Sequence, residues 1–134
     1  MNSSTPINVL FVCVENSCRS QMAEGFARAL GKEKVVAYSA GSSPSATVDP
    51  TAIAVMKEKG IDLSTHTSKS VDDLPIQSFD VIVTMGCGDA CPAMSASKRI
   101  EWNIPDPKSH PIETFRAVRD EIEAHVKDLL DKLP

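Results

Sequence analysis

Positive charge is not in excess here: 14 lysines and arginines face 18 aspartates and glutamates, for a formal net charge of −4. A nucleic-acid or anionic-membrane surface needs a basic field, so neither partner is expected, and any bound anion must be held by local donors. No apolar run approaches membrane-spanning length. The opening MNSSTPINVLFVCV lacks a basic flank, and its short apolar stretch reads as a strand rather than a signal peptide, so a cytoplasmic protein is expected. Repeats, low-complexity tracts and linkers are missing, which predicts one domain over residues 1–134, a monomer by default. The three histidines, His66, His110 and His125, are scattered, so no metal site and no cofactor is expected.

What is present alternates strand with helix. Ile7 to Val12 is a continuous β-prone run, as in a central strand covered on both faces. A helical pattern follows from Arg19 to Leu30, with Met22, Phe26 and Ala29 on one stripe, Ala23, Ala27 and Leu30 beside it, and Gly31 as a C′ residue. Val35 to Ser39 forms a second strand. Asp49-Pro50 supplies a cap and a first helical proline for a helix running to Lys59. Phe79 to Met85 is a third strand and Lys98 to Trp102 a short fourth. The last helix starts near Pro111 and buries Phe115, Val118, Ile122, Val126, Leu129 and Leu133. Such alternation implies an α/β fold with right-handed crossovers and a parallel, doubly wound sheet. Ligand sites in such sheets lie beyond the carboxyl ends of the strands, where Cys13, Gly86 and Cys87 fall.

The turn after the first strand carries the densest chemistry. Its residues run Cys13, Val14, Glu15, Asn16, Ser17, Cys18, Arg19, Ser20. Backbone N–H groups in a strand-to-helix turn can converge on one point, and the following helix adds its positive end. Arg19 offers a planar fork of donors to an oxyanion. The same field favours the thiolate of Cys13 and makes it a nucleophile, with Ser20 donating to the sulfur and Asn16 bracing the loop. The competing reading of Cys13 is an inert thiol ending a strand. Cys18 reads as packing or as a minor redox modulator.

Cys87 and Cys91, in GCGDACP, directly follow the third strand. If the segment turns helically, the two thiols are neighbours within reach of a disulfide after modest adjustment. A zinc site is the rival, but it lacks two further ligands at matching spacing. Asp106 lies between two prolines in IPDP, either as a turn aspartate or as a general acid.

The segment VCVENSCRSQMAEGFARA resembles the signature of the low-molecular-weight protein tyrosine phosphatase superfamily, and especially its arsenate reductase branch. YSAG, FDVIVTMGCGDACP, WNIPDP and FRAVRDEI extend the resemblance over nearly the whole chain. It implies a single three-layer domain with a four-stranded parallel sheet flanked by helices. It also implies a reaction. Cys13 forms a thiol–arsenate adduct, Cys87 attacks that sulfur to release arsenite, and Cys91 moves the disulfide outward to Cys87–Cys91, where thioredoxin reduces it. Asp106 is the implied acid, and phosphate or sulfate would mimic arsenate.

Two departures bear on this. Where the tyrosine phosphatases carry aromatic residues after the Asp-Pro pair, Lys108 and Ser109 stand, which disfavours a phosphotyrosine substrate. A potassium site of the thioredoxin-linked branch is matched by Asn16, Glu24 and Ser39, but Lys69 replaces its aspartate, so no potassium requirement is expected. His66 is expected near the loop, His110 and His125 exposed, and Glu15 solvated. A phosphomonoesterase using Cys13, Arg19 and Asp106 alone, and a non-catalytic oxyanion or thiol sensor, stay open as alternatives. The first leaves the distal cysteines unexplained and the second leaves Asp106 unexplained.

Overall fold

In the computed structural model, which describes residues 6–45, 47–86 and 95–133, four strands form one parallel sheet. They are β1 (Ile7–Cys13), β2 (Val35–Gly41), β3 (Ser78–Thr84) and β4 (Ser95–Glu101), in the order β2-β1-β3-β4. The helices are α1 (Arg19–Leu30), α2 (Pro50–Lys57) and α3 (Ile112–Lys132). Cys87 and Cys91 lie outside the described residues. Among the described residues, no helix is long and apolar enough to cross a membrane.

β1 pairs with β2 along its whole length, from Ile7 opposite Val35 to Cys13 opposite Gly41. On its other side Val9 to Val12 pair with Val81 to Thr84. Strand alternation then sorts β1 into two faces. Val9, Phe11 and Cys13 enter a core with Met22, Phe26, Val55, Met56, Phe115, Ile122 and Val126 from the three helices. Leu10 and Val12 face the opposite way, onto Ala40, Phe79, Ile82 and Leu74. That second face is covered by the chain around a 3-10 helix at Val71–Asp73, capped by Ser70 and packed through Val71, Leu74 and Ile76. These are the three layers.

The helix boundaries follow local chemistry, with three corrections. α2 begins as expected, with Asp49 Oδ1 accepting from the Thr51 N–H at 2.8 Å and Pro50 in the first turn, but it ends at Lys57 rather than Lys59. In α1, Ala29 and Leu30 are exposed rather than on the buried stripe, because the packed face of the last turn runs through Ala27 to Gly31 and leaves residues 28–30 on the solvent side. Gly31 is needed for space and not for a left-handed backbone, since its φ is −113°. A Cβ there would lie 2.9 Å from both Leu130 Cδ2 and Val35 Cγ2. α3 buries Phe115, Val118, Ile122, Val126 and Leu129 as expected, and Leu133 packs at the core edge.

α2 and α3 are also joined by charge. Glu58 closes α2 and takes Arg116 Nη2 at 2.7 Å and Arg119 Nη1 at 2.6 Å, while Arg119 Nη1 also donates to the Val55 carbonyl at 2.9 Å. Hydrogen bonds from the two guanidinium groups hold the Glu58 carboxyl down at about 2. A carboxyl depressed in the folded state adds stability above its unfolded pKa of about 4.3, and loses it as pH falls through the folded value. Glu58→Gln should therefore lower the urea midpoint at pH 7, and the gap to the parent should close as pH falls from about 4.5 toward 2. A gap independent of pH would show that the helix contact owes nothing to this charge.

Candidate active site

The carboxyl ends of the parallel strands converge on the turn between β1 and α1. Its main chain is tied outward carbonyl by carbonyl. Cys13 O accepts from Ser42 N at 3.3 Å, Val14 O from Ser43 N at 2.7 Å, and Glu15 O from Ser45 N at 3.1 Å. Ser68 Oγ also donates to Glu15 O, at 2.7 Å. Asn16 O accepts from Gln21 Nε2 at 3.2 Å, Ser17 O from Asp49 N, and Cys18 O from Met22 N, both at 3.0 Å. In a planar trans peptide the N–H points away from the C=O. Six carbonyls facing outward therefore turn the N–H groups of Val14 to Arg19 toward the inside of the loop, which makes an anion nest at the head of α1. Asn16 takes the left-handed conformation this curvature needs, with φ +53°, which asparagine tolerates better than most residues.

Cys13 is the buried floor of this nest. Ser20 Oγ lies 2.9 Å from its sulfur, and Asn16 Nδ2 donates to the same Ser20 oxygen at 2.8 Å. Since asparagine supplies that proton, the serine hydroxyl is free to point its own at sulfur. Ser20 is thereby placed to donate to the sulfur when Cys13 is a thiolate, which carries no proton of its own. Asn16 is held in turn by Gln21 Nε2 and by Lys69 N, each 3.0 Å from Asn16 Oδ1. Gln21 Nε2 also reaches Thr67 O at 2.9 Å, and its Oε1 faces His66 Nδ1 at 3.0 Å. Cys18 is different. Burial pushes its thiol up to about 12, so it stays protonated and packs among apolar side chains.

Arg19 is only 5% exposed, so its charge needs partners. Nη1 donates to Ile104 O at 3.1 Å, and Nη2 lies 3.7 Å from Asp106 Oδ2, a loose contact. Nε is buried with no partner among the described residues. A buried guanidinium donor left over is costly unless a ligand takes it, and an oxyanion in the nest is the natural acceptor. Gly86, with φ +78°, sits against this arginine, since a Cβ would fall 2.5 Å from Nη1. Asp106 itself is half exposed on the loop after β4, and its Oδ1 accepts from Lys108 N at 3.0 Å.

Several expectations are refined by these contacts. Glu15 is not simply solvated: its carboxylate pairs with the ammonium of Lys108, which is thereby held above its ordinary range. His66 faces the loop through Gln21, and His110 is exposed, but His125 is half-buried and stacks on Trp102 with ring centroids 5.0 Å apart. Gln21, Gly41 and Ser68 support the loop, a role that the sequence did not assign to any of them. Glu24, 3% exposed, takes Ser39 Oγ on Oε1 and Arg28 Nη2 on Oε2 at 2.8 Å. Lys69 Nζ donates to Thr67 O at 3.1 Å, and burial lowers its pKa against the pull of Glu24. Arg28 thus pairs with the Glu24 carboxylate, and Lys69 adds a second positive charge to its surroundings. Among the described residues no group of three or more His, Cys, Asp or Glu side chains is placed to hold a metal.

Residues 8–134 match the family model described as low molecular weight phosphotyrosine protein phosphatase. The chain is 42% identical to a glutaredoxin arsenate reductase of Synechocystis sp., covering 93% of this chain and 97% of that one. It is 41% identical to an arsenate reductase of Staphylococcus aureus, covering 92% and 96%. Among solved structures it resembles an arsenate reductase in the phosphate binding state, with a TM-score of 0.87 and 40% identity over 96% of this chain and 99% of that one.

Gly41 offers a direct test of the nest. A Cβ there would sit 2.7 Å from Val14 O and 2.9 Å from Asn16 N and Glu15 C, all main-chain atoms that cannot swing away. Gly41→Ala should cost about 1–3 kcal/mol by urea denaturation. It should also weaken inorganic phosphate binding, measured by calorimetry, about tenfold or more. Unchanged phosphate affinity would show that the loop backbone does not form the anion site.

Proposed function

The chain belongs to the low molecular weight phosphotyrosine protein phosphatase family, and on that premise we propose that it is an arsenate reductase with a Cys13–Cys87–Cys91 relay. The observation that supports this most is the nest with Cys13 as its floor and Arg19 as its one buried cation, in a protein of net negative charge. Such a site selects a small tetrahedral oxyanion by converging donors.

The Cys13 thiolate, steadied by the Ser20 hydroxyl, attacks arsenic and forms an S–As bond. Asp106 protonates the departing oxygen, which leaves as water. The N–H groups of residues 14–19 and the Arg19 fork hold the remaining oxygens through the change in geometry. Cys87 then attacks the Cys13 sulfur. The S–As electron pair goes to arsenic, which leaves as arsenite in the +3 state, and a Cys13–Cys87 disulfide forms. Cys91 attacks Cys87, Cys13 departs as thiolate, and the disulfide now joins Cys87 to Cys91. The sequence and the family resemblance support the roles of Cys87 and Cys91.

A relay ending in its own disulfide needs a dithiol reductant, and thioredoxin is the one we propose. The Synechocystis sp. relative is named for glutaredoxin, which makes glutaredoxin the comparison arm. Hydrolysis of a phosphate ester by Cys13, Arg19 and Asp106 is the second reading, favoured by the family match. Its weak presence beside reduction follows from the shared shape and charge of phosphate and arsenate.

Arsenate should drive NADPH oxidation in the presence of the protein, thioredoxin and thioredoxin reductase. Cys13→Ser should abolish it, and Asp106→Asn should slow turnover by about 10²-fold. Cys91→Ser should release a single equivalent of arsenite and then stop. Sustained turnover by Cys91→Ser would break the relay. Phosphate-ester hydrolysis through Cys13 with no arsenate-dependent oxidation under either reductant would move the function to the phosphatase.

A further inference from the structure

The Glu15–Lys108 ion pair joins the two walls of the site, and the proposed chemistry leaves it without a task. Glu15 lies two residues after the nucleophile, with its carbonyl pinned outward by Ser45 N and Ser68 Oγ. Lys108 lies two residues after Asp106, and its N–H donates to the Asp106 carboxylate. Both side chains are partly exposed, 33% for Glu15 and 45% for Lys108, so the pair sits at the surface above a cysteine and an arginine that are buried. The acid loop is otherwise stiff, with Pro107 buried, His110 N donating to Pro107 O at 2.9 Å, and Ser109 at φ +69°.

From this geometry we infer that Glu15 and Lys108 form a latch across the mouth of the nest, setting its specificity for small inorganic oxyanions over those carrying an aryl group. The inference rests on the oxyanion site proposed above and names what that site excludes. An inorganic anion has all its oxygens inside the nest and passes under a closed pair. An aryl phosphate or phosphonate must project its ring between the loop walls, where it can lie only after the ion pair parts. Parting leaves a carboxylate beside an incoming anion, a repulsive element of the kind that creates specificity.

Calorimetry with inorganic phosphate and benzylphosphonate separates this from a general charge effect. The two probes carry similar charge into the same nest, so a lost lysine weakens both through the common field, and their affinity ratio reports the ring alone. The parent protein should prefer phosphate by about tenfold or more, and Lys108→Ala should shrink that preference to about threefold or less. The double variant Glu15→Lys/Lys108→Glu, which restores a pair with reversed polarity, should recover the preference. A ratio unchanged in Lys108→Ala, or a parent that binds both probes alike, would overturn the latch while arsenate-dependent NADPH oxidation still stood. Loss of all anion binding by the parent would overturn the oxyanion site and the latch together.

Discussion

Outward hydrogen bonding of the six carbonyls from Cys13 to Cys18 is the constraint on which the site depends. Four of the six are held from distant parts of the chain, by Ser42 to Ser45 after β2, Asp49 at the head of α2 and Ser68 before the 3-10 helix, and two by Gln21 and Met22 of the adjoining α1. Parallel pairing of Cys13 with Gly41 brings the first of these alongside, and the missing side chain at Gly41 lets two backbones meet. No local preference would hold eight residues in so tight a curve. The loop is a tertiary product, and its N–H groups face inward because the rest of the fold occupies its oxygens.

Electrostatics follows from that arrangement. The protein as a whole repels anions weakly, yet the site gathers oriented N–H dipoles, a helix terminus and one buried guanidinium. Low local dielectric strengthens each of these, and the same condition makes Arg19 Nε, unpartnered among the described residues, costly without a ligand. Asn16 illustrates how polar satisfaction also bears on proton direction. Its amide gives to Ser20, which leaves the serine proton available to a Cys13 thiolate. The two cysteines of the loop are thereby separated, one solvated by donors and the other left a neutral thiol by burial.

Strands and helices were legible in the sequence because their apolar periods are local. Asp49-Pro50 marked the start of α2 by chemistry that works over two residues. The ends were less legible. Ala29 and Leu30 continue the helical stripe of α1, but which side of the last turn is covered depends on where its neighbours lie, and they lie against Ala27 and Gly31. Gly31 was visible as a stop while its reason, the crowding by Leu130 and Val35, was not. At the site, Cys13, Arg19, Ser20 and Asp106 stood out because their chemistry and the family signature pointed to them. Gln21, Gly41 and Ser68 did not, because each acts on a residue far away or on main chain. Glu15 looked like an ordinary surface acid because its partner, Lys108, lies 93 residues further on.

An anion site built from main chain has a further consequence for how such a protein can change over generations. Any residue with an N–H can occupy positions 14, 15 and 17 and still present its donor to the anion. The side chains there are released from the task of holding the oxyanion and are left to vary in what they admit at the rim. Recognition of the tetrahedral core and selection of what is attached to it are thus written in different parts of the same residues. A lineage can retune the second by single substitutions without passing through a state that has lost the first.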